Sequence, residues 1–353
     1  MRTPGPAASR ALTAALAAVL LLTTACPKAP DGAEAGGFQK GIAFTGYGGT
    51  AYEGSGPLQA LDGLAATGAS WITVLATGFQ TDIRATAIDF TGPRTQTDAS
   101  VERVIAHARG RGLKVMLKPH VDLTDDPDHY RGEIGPGFTD ADWTAWFASY
   151  RPFILHYAAM AERTGCELFC VGCELGTTAV HAAAWREIVA AVRSVYSGPL
   201  TYADNQVEMS LDAVSWWDAV DYIGQDAYPT LTTVTEPTVE DLLAGWTVFR
   251  ARLQRLSESW DKPLILTEIG CRSVAGGAQN PWDWRRAGAP DMSVQAAFYE
   301  AACRAVDGRS WLRGMYWWEW SPDPDDGGPG DTGYTPHGKP AEGVLRTWYA
   351  RLE

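Results

Sequence analysis

Apolar residues along this chain gather into short unbroken runs, and longer stretches of helical periodicity separate them. The runs lie at 40–45, 71–76, 113–118, 167–173, 199–203, 221–226, 263–268 and 312–319. Runs of this length, bounded by turn residues, are what strands covered on both faces look like. The amphipathic stretches fall near 57–68, 98–111, 142–164, 180–196, 210–217, 238–259 and 292–306, with a last one at 340–352. Strand then helix, repeated along the chain without an antiparallel hairpin signal, predicts a parallel sheet closed into a single (β/α)8 TIM barrel over residues 38–353. A doubly wound open sheet is the alternative, and no glycine-rich phosphate loop supports it.

Helix punctuation agrees with this division. Asp98 opens a helix with Glu102 in its first turn, and Gly110 and Gly112 close it before Lys114-Val115-Met116-Leu117 begins the next strand. Thr139 and Asp140 precede a periodic run through Trp143, Phe147 and Tyr150, where Pro152 predicts a kink or a break. The connections after the strands are unequal. Long ones are expected at 77–97, 119–141, 227–237, 269–291 and 320–338, the side of such a barrel that carries its chemistry.

The first residues follow a different pattern. Arg2 and Arg10 precede an apolar run from Ala11 to Leu22, and Thr23-Thr24-Ala25-Cys26 follows. The run is too short to span a bilayer as a mature helix and reads as an export signal over 1–25. Its end resembles a bacterial lipoprotein box, in which Cys26 becomes the lipidated first residue. Residues 26–37, rich in Ala, Gly and Pro, read as a flexible tether. The expected location is therefore the bacterial cell envelope through a lipid anchor, or the medium if cleavage falls at Ala25.

Composition narrows the partners. With 29 basic and 42 acidic residues the net charge is −13, so the basic footprint of a nucleic-acid partner is missing and a neutral polysaccharide is compatible. The 15 Trp and 13 Tyr fill a core or line a cleft that stacks on sugars. Five cysteines remain after Cys26: Cys166, Cys170, Cys173, Cys271 and Cys303. An odd number cannot all pair internally, and without a histidine nearby the first three read as buried small hydrophobes rather than as a zinc site. No cofactor is expected, and the expected assembly is a monomer.

Two glutamates carry the chemical signal. Glu174 closes the run Leu168-Phe169-Cys170-Val171-Gly172-Cys173, and Glu268 closes Pro263-Leu264-Ile265-Leu266-Thr267. Carboxylates at the C-terminal ends of barrel strands are placed for catalysis, and a pair of them suits glycoside hydrolysis. Strands four and seven face each other across the barrel mouth. Used as acid/base and nucleophile of a retaining reaction, the two carboxyls would stand about 5–5.5 Å apart.

Five segments in order make the resemblance specific: Lys114-Val115-Met116-Leu117-Lys118-Pro119-His120, Phe169-Cys170-Val171-Gly172-Cys173-Glu174-Leu175, Asp221-Tyr222-Ile223-Gly224-Gln225-Asp226-Ala227-Tyr228, Thr267-Glu268-Ile269-Gly270 and Tyr316-Trp317-Trp318-Glu319-Trp320. Over residues 38–352 the chain resembles glycoside hydrolase family 113, retaining β-mannanases of the barrel clan A. The resemblance implies that Glu174 is the acid/base and Glu268 the nucleophile, acting on β-1,4-mannan or manno-oligosaccharides. One departure is Cys173, where much of the clan has Asn before the acid/base; it leaves a non-catalytic glycan-binding barrel lipoprotein as an alternative, beside another β-glycan hydrolase of the same clan.

Other candidates follow from position. Lys118 and His120 would bond hydroxyls of the sugar nearest the cleavage point, with an ion pair to Asp122 as the alternative; His120, Asp122 and Asp226 are also the residues a metal-dependent reading would use. Asn205, Asp226 and Tyr228 end strands five and six, and Tyr228 would hold Glu268 ionised and oriented. Strand alternation puts Trp318 and Trp320 on one face and Trp317 with Glu319 on the other. The resemblance implies a tryptophan floor under the distorted sugar, for which Trp318 is first choice and Trp320 second. Trp282 and Trp284 are either outer platforms or loop anchors.

Overall fold

The computed structural model describes Met1 and residues 37–205 and 214–352. Cys26, and the export signal and tether apart from Met1 and Gly37, lie outside the described residues. Among the described residues no helix is long and apolar enough to cross a membrane.

Eight strands close into an all-parallel barrel in chain order: β1 Gln39–Phe44, β2 Trp71–Gln80, β3 Lys114–Leu123, β4 Leu168–Cys173, β5 Leu200–Asn205, β6 Tyr222–Ala227, β7 Leu264–Ile269 and β8 Leu312–Trp320. Helices α1 Gly56–Ala65, α2 Asp98–Gly110, α3 Asp140–Thr164, α4 Ala182–Arg193, α5 Val239–Trp260, α6 Met292–Val306 and α7 Pro340–Tyr349 alternate with them. Of the helix expected at 210–217, residues 210–213 are outside the described set, and a 3-10 turn at Trp217–Ala219 is what leads into β6. Pro152 does not break α3, which runs through it as one helix of 25 residues. Tyr150, Phe153, Ile154 and Tyr157 are buried on both sides of the proline, and that burial outweighs one lost backbone hydrogen bond.

Helix ends use the residues that satisfy free backbone groups most cheaply. Thr139 and Thr238 form capping boxes with Asp142 and Asp241, and Asp291 accepts from two backbone N–H groups of α6. Helix α4 shows why these segments dock. Its buried Trp185, Ile188, Val189 and Val192 recur at helical spacing on one face, and a fully buried aliphatic side chain contributes about 1.5–3 kcal/mol.

The strands divide two cores by their period of two. On β3, Val115 and Leu117 join the large core under the helices, whereas Met116 turns into the barrel with Leu168, Cys170, Ile265 and Tyr316. Gly41 is required there, because a Cβ would lie 2.2 Å from the Tyr316 ring. All five cysteines are free and buried, as expected of small apolar side chains. Three bulges then break the alternation at the mouth. Register shifts lie between Cys170 and Cys173 on β4, between Gln225 and Asp226 where β6 meets β7, and on β8 after Trp317. Bulges re-aim side chains, and Glu174, Glu268 and Trp318 each follow or occupy one.

Candidate active site

The strand ends and the loops beyond them surround a cleft of about 1040 Å³, with Glu174, Glu268, Asn205, Tyr228 and Trp318 in its lining. Beneath it lies a chain of charges. Lys118, 0 % exposed, points inward from β3 because it stands two residues beyond Met116. Its Nζ donates to Glu268 Oε1 at 2.5 Å and to Asp226 Oδ1 at 3.1 Å. Tyr228 Oη donates to Glu268 Oε2 at 2.7 Å, so both nucleophile-candidate oxygens are held. Asp226 takes further bonds from Thr267 Oγ1 at 2.7 Å and from Cys173 Sγ at 3.4 Å.

Glu174 is held by a second cation. Its backbone is left-handed, φ 53°, a conformation that costs an L-residue about 1–2 kcal/mol and places the side chain off the strand direction. Arg131 Nη1 donates to Glu174 Oε2 at 2.8 Å, and Asn205 Nδ2 donates to Oε1 at 2.8 Å. The same guanidinium bonds Asp122 through Nη2 and the Val121 carbonyl through Nε at 2.9 Å. Two cations therefore serve four carboxylates, Lys118 bridging Asp226 and Glu268 and Arg131 bridging Asp122 and Glu174.

That imbalance favours retention of a proton. Burial pushes Glu174 above the ordinary carboxyl range against the pull of Arg131, with Asp226 adding to the rise. Burial and then Asp226 push Glu268 up as well, opposed by Lys118. Burial works against the Lys118 charge, but Asp226 leads the groups that hold this amine well above its usual value. His120 is driven well below the usual imidazole value by burial, then by Arg131 and Lys118, and stands neutral.

The model of Glycoside Hydrolase Family 113 matches residues 43–339. The chain belongs to glycoside hydrolase family 113. Solved structures agree: a GH113 β-1,4-mannanase in complex is 29% identical with a TM-score of 0.81, over 89% of this chain and 99% of that one. The GH113 β-mannanase of Alicyclobacillus acidocaldarius in complex with ManMIm is 35% identical with a TM-score of 0.78, over 89% and 97%. A family 5 mannosidase of Rhizomucor miehei, 9% identical with a TM-score of 0.61 over 89% and 92%, shares the fold. No curated protein matches.

In this family 113 glycoside hydrolase the expected site residues divide by depth. Glu174, Glu268, Asn205, Tyr228 and Trp318 line the cleft. Lys118 and Asp226, expected as sugar contacts, are 0 % exposed beneath it, where Lys118 holds both Glu268 and Asp226. His120 is 2 % exposed; its ring lies parallel to that of Trp318 at 6.2 Å, and its Nε2 has no partner among the described residues. The ion pair considered between Lys118 or His120 and Asp122 does not form, because Asp122 is taken by Arg131.

Trp320 departs from the expected pairing with Trp318. It is 1 % exposed, does not line the cleft and packs on His337 at 4.7 Å, while Glu319 lines the cleft beside Trp318. The reason is the bulge in β8. Ile42 pairs with Trp317 and Phe44 with Trp320, so two residues of β8 stand opposite one of β1 and the strict alternation fails. Glu319, which accepts from Thr45 Oγ1 and has the Tyr47 hydroxyl as a second partner, is pushed up to about 7 chiefly by burial.

Arg131 gave no sequence signal, since it sits in an acidic loop after β3 with nothing local to mark its partner. Tyr47, Arg272 and Tyr334 of the cleft lining were equally silent. Groups with metal-ligand spacing among the described residues are His120, Cys173 and Glu268, and Cys173, Glu174 and Asp226. His120, Asp122 and Asp226 do not form such a group. In both that do, the Lys118 ammonium or the Arg131 guanidinium already pairs with the carboxylates.

Proposed function

We propose that the chain is a retaining glycoside hydrolase that cleaves β-1,4-mannan or manno-oligosaccharides by double displacement. Glu268 attacks the anomeric carbon while Glu174 passes its proton to the leaving oxygen, so that one C–O bond forms as the other breaks. Glu174, now a carboxylate, takes a proton from water, and that water displaces the glycosyl ester and frees Glu268. The observation that carries this reading is the way the two glutamates are held. Glu268 has an ammonium and a phenol on its two oxygens, donors that favour its anion. Burial raises both carboxyls, Glu174 against Arg131 and Glu268 against Lys118, so the pair favours keeping a proton, which in this reading Glu174 carries.

The unpartnered Nε2 of neutral His120 would bond a hydroxyl of the sugar over Trp318. Mannan as substrate is supported by the likeness to β-1,4-mannanases at 29% and 35% identity. The protein acts without a cofactor, as a monomer, exported and lipid-anchored through Cys26; the support for export is the charged, then apolar, then small-residue pattern of residues 1–26.

Product profiles on a panel of β-linked polysaccharides test the substrate: mannan is expected to be cleaved first, and a preference for β-1,4-glucan would overturn mannan. Glu268→Ala is expected to lower turnover by roughly 10⁴-fold or more, and near-normal turnover would remove the nucleophile assignment. Azide is expected to restore activity to Glu174→Ala on an activated substrate. Cys26→Ser is expected to move the protein from the membrane fraction to the medium, and an unchanged membrane fraction would remove the anchor.

A further inference from the structure

Among the described residues, the large apolar side chains left exposed include three aromatics: Tyr47, Trp282 and Trp284, at 58%, 46% and 65% exposure. All three line the same cleft as Glu174 and Glu268. Scattered exposed apolar residues need no explanation, but exposed aromatic ones that all line one cleft do. Trp284 is also mounted rather than loose. Arg272 Nη1 donates to the Trp284 carbonyl at 2.9 Å and to the Arg286 carbonyl at 2.6 Å, and its Nε donates to the Thr332 carbonyl at 3.0 Å. The main chain under the indole is thereby fastened to the β8–α7 connection.

The ring itself is braced on one side. The Arg285 guanidinium carbon lies 4.7 Å from the Trp284 ring centroid, and Arg285 Nη2 donates to the Pro127 carbonyl at 2.7 Å. This bond crosses from the β7–α6 connection to the β3–α3 connection, both of which line the cleft. A guanidinium that stacks on one face of an indole leaves the other face for a ligand. What suits a flat apolar face with a charged edge, in a cleft that continues to two catalytic carboxyls, is the C–H face of a neutral sugar ring.

We propose that Trp284, braced by Arg285 and with Trp282 beside it, is a sugar-stacking platform that holds a β-linked chain beyond the sugars at the cleavage point. The platform makes the enzyme prefer long chains, because an extra bound ring contributes only when the chain is long enough to reach it. The proposal rests on the glycoside hydrolase reading for its ligand class.

The test compares Trp284→Ala, Trp284→Phe and Arg285→Met with the wild type on soluble β-mannan and on a short aryl β-mannoside, with affinity electrophoresis on the polysaccharide panel beside the kinetics. Trp284→Ala is expected to lower the ratio of kcat/KM on polymer to that on the short substrate about tenfold, the effect of ~1.4 kcal/mol, through KM. Trp284→Phe recovers most of that loss, and Arg285→Met lies between. An unchanged ratio in Trp284→Ala would overturn the platform. If the wild type cleaves no polysaccharide, the hydrolase reading fails by itself, and the gel decides the platform: Trp284-dependent retardation supports it, and retardation indifferent to Trp284 overturns it.

Discussion

Lys118 decides the charge state of the site although it touches no solvent. Among the described residues its ammonium is the one cation on both Asp226 and Glu268, two carboxylates that would otherwise be buried side by side. Lys118→Met keeps the volume and removes the charge. Removing one partner from a buried ion pair costs about 3–5 kcal/mol, and Glu268 must then take up a proton, which ends its nucleophilicity. The expected result is a lower melting temperature together with a loss of at least ~10²-fold in kcat/KM; a variant as stable and active as the wild type would contradict this role of Lys118. Glu319 makes a different prediction. Its carboxyl titrates at about 7 in the fold against an ordinary value of 4.5, so between those limits the folded protein binds more protons than the unfolded chain. Its contribution to stability is whole at low pH and lost as pH rises through 7. Glu319→Gln, which can still accept from Thr45, is expected to flatten the fall in melting temperature between about pH 4.5 and 7; an identical pH profile would refute this.

At the scale of elements, what the sequence revealed and what it hid have one cause. Strands sandwiched between a packed interior and a ring of helices must be apolar on both faces, so their runs show without an alignment. Ends are less visible. β2 and β3 run on to Gln80 and Leu123, past the expected limits of 76 and 118, because the two strands go on pairing through Pro119 and His120 where polarity argued for a loop. Bulges leave no mark in the pattern, which is why Trp320 was expected in the cleft and Glu319 was not. The start at Thr139 was legible, and there it closes a box with Asp142; Thr238 and Asp241 close another at the start of α5. Thr238→Ala is expected to cost about 1 kcal/mol, read as a lower urea midpoint at unchanged turnover. A shift in turnover would show that α5 positions the site.

Across the whole molecule, the barrel brings together residues far apart in sequence. Lys118, Asp226 and Glu268 meet across 150 positions of chain, and Arg131 reaches Glu174 from a loop. The glutamates were legible because strand-end position and chemistry coincide in them; Arg131 was not, because a loop arginine shows its partner only after the barrel has closed. The same closure sets two raised carboxyls at one cleft with a cation for each, and that arrangement is the basis for a two-step reaction through a glycosyl ester. The most direct test follows the anomeric configuration of the first product by proton NMR during rapid hydrolysis of a β-linked manno-oligosaccharide. The account predicts that the β-anomer appears first and mutarotates afterwards; an α-anomer as first product would mean single displacement and contradict it.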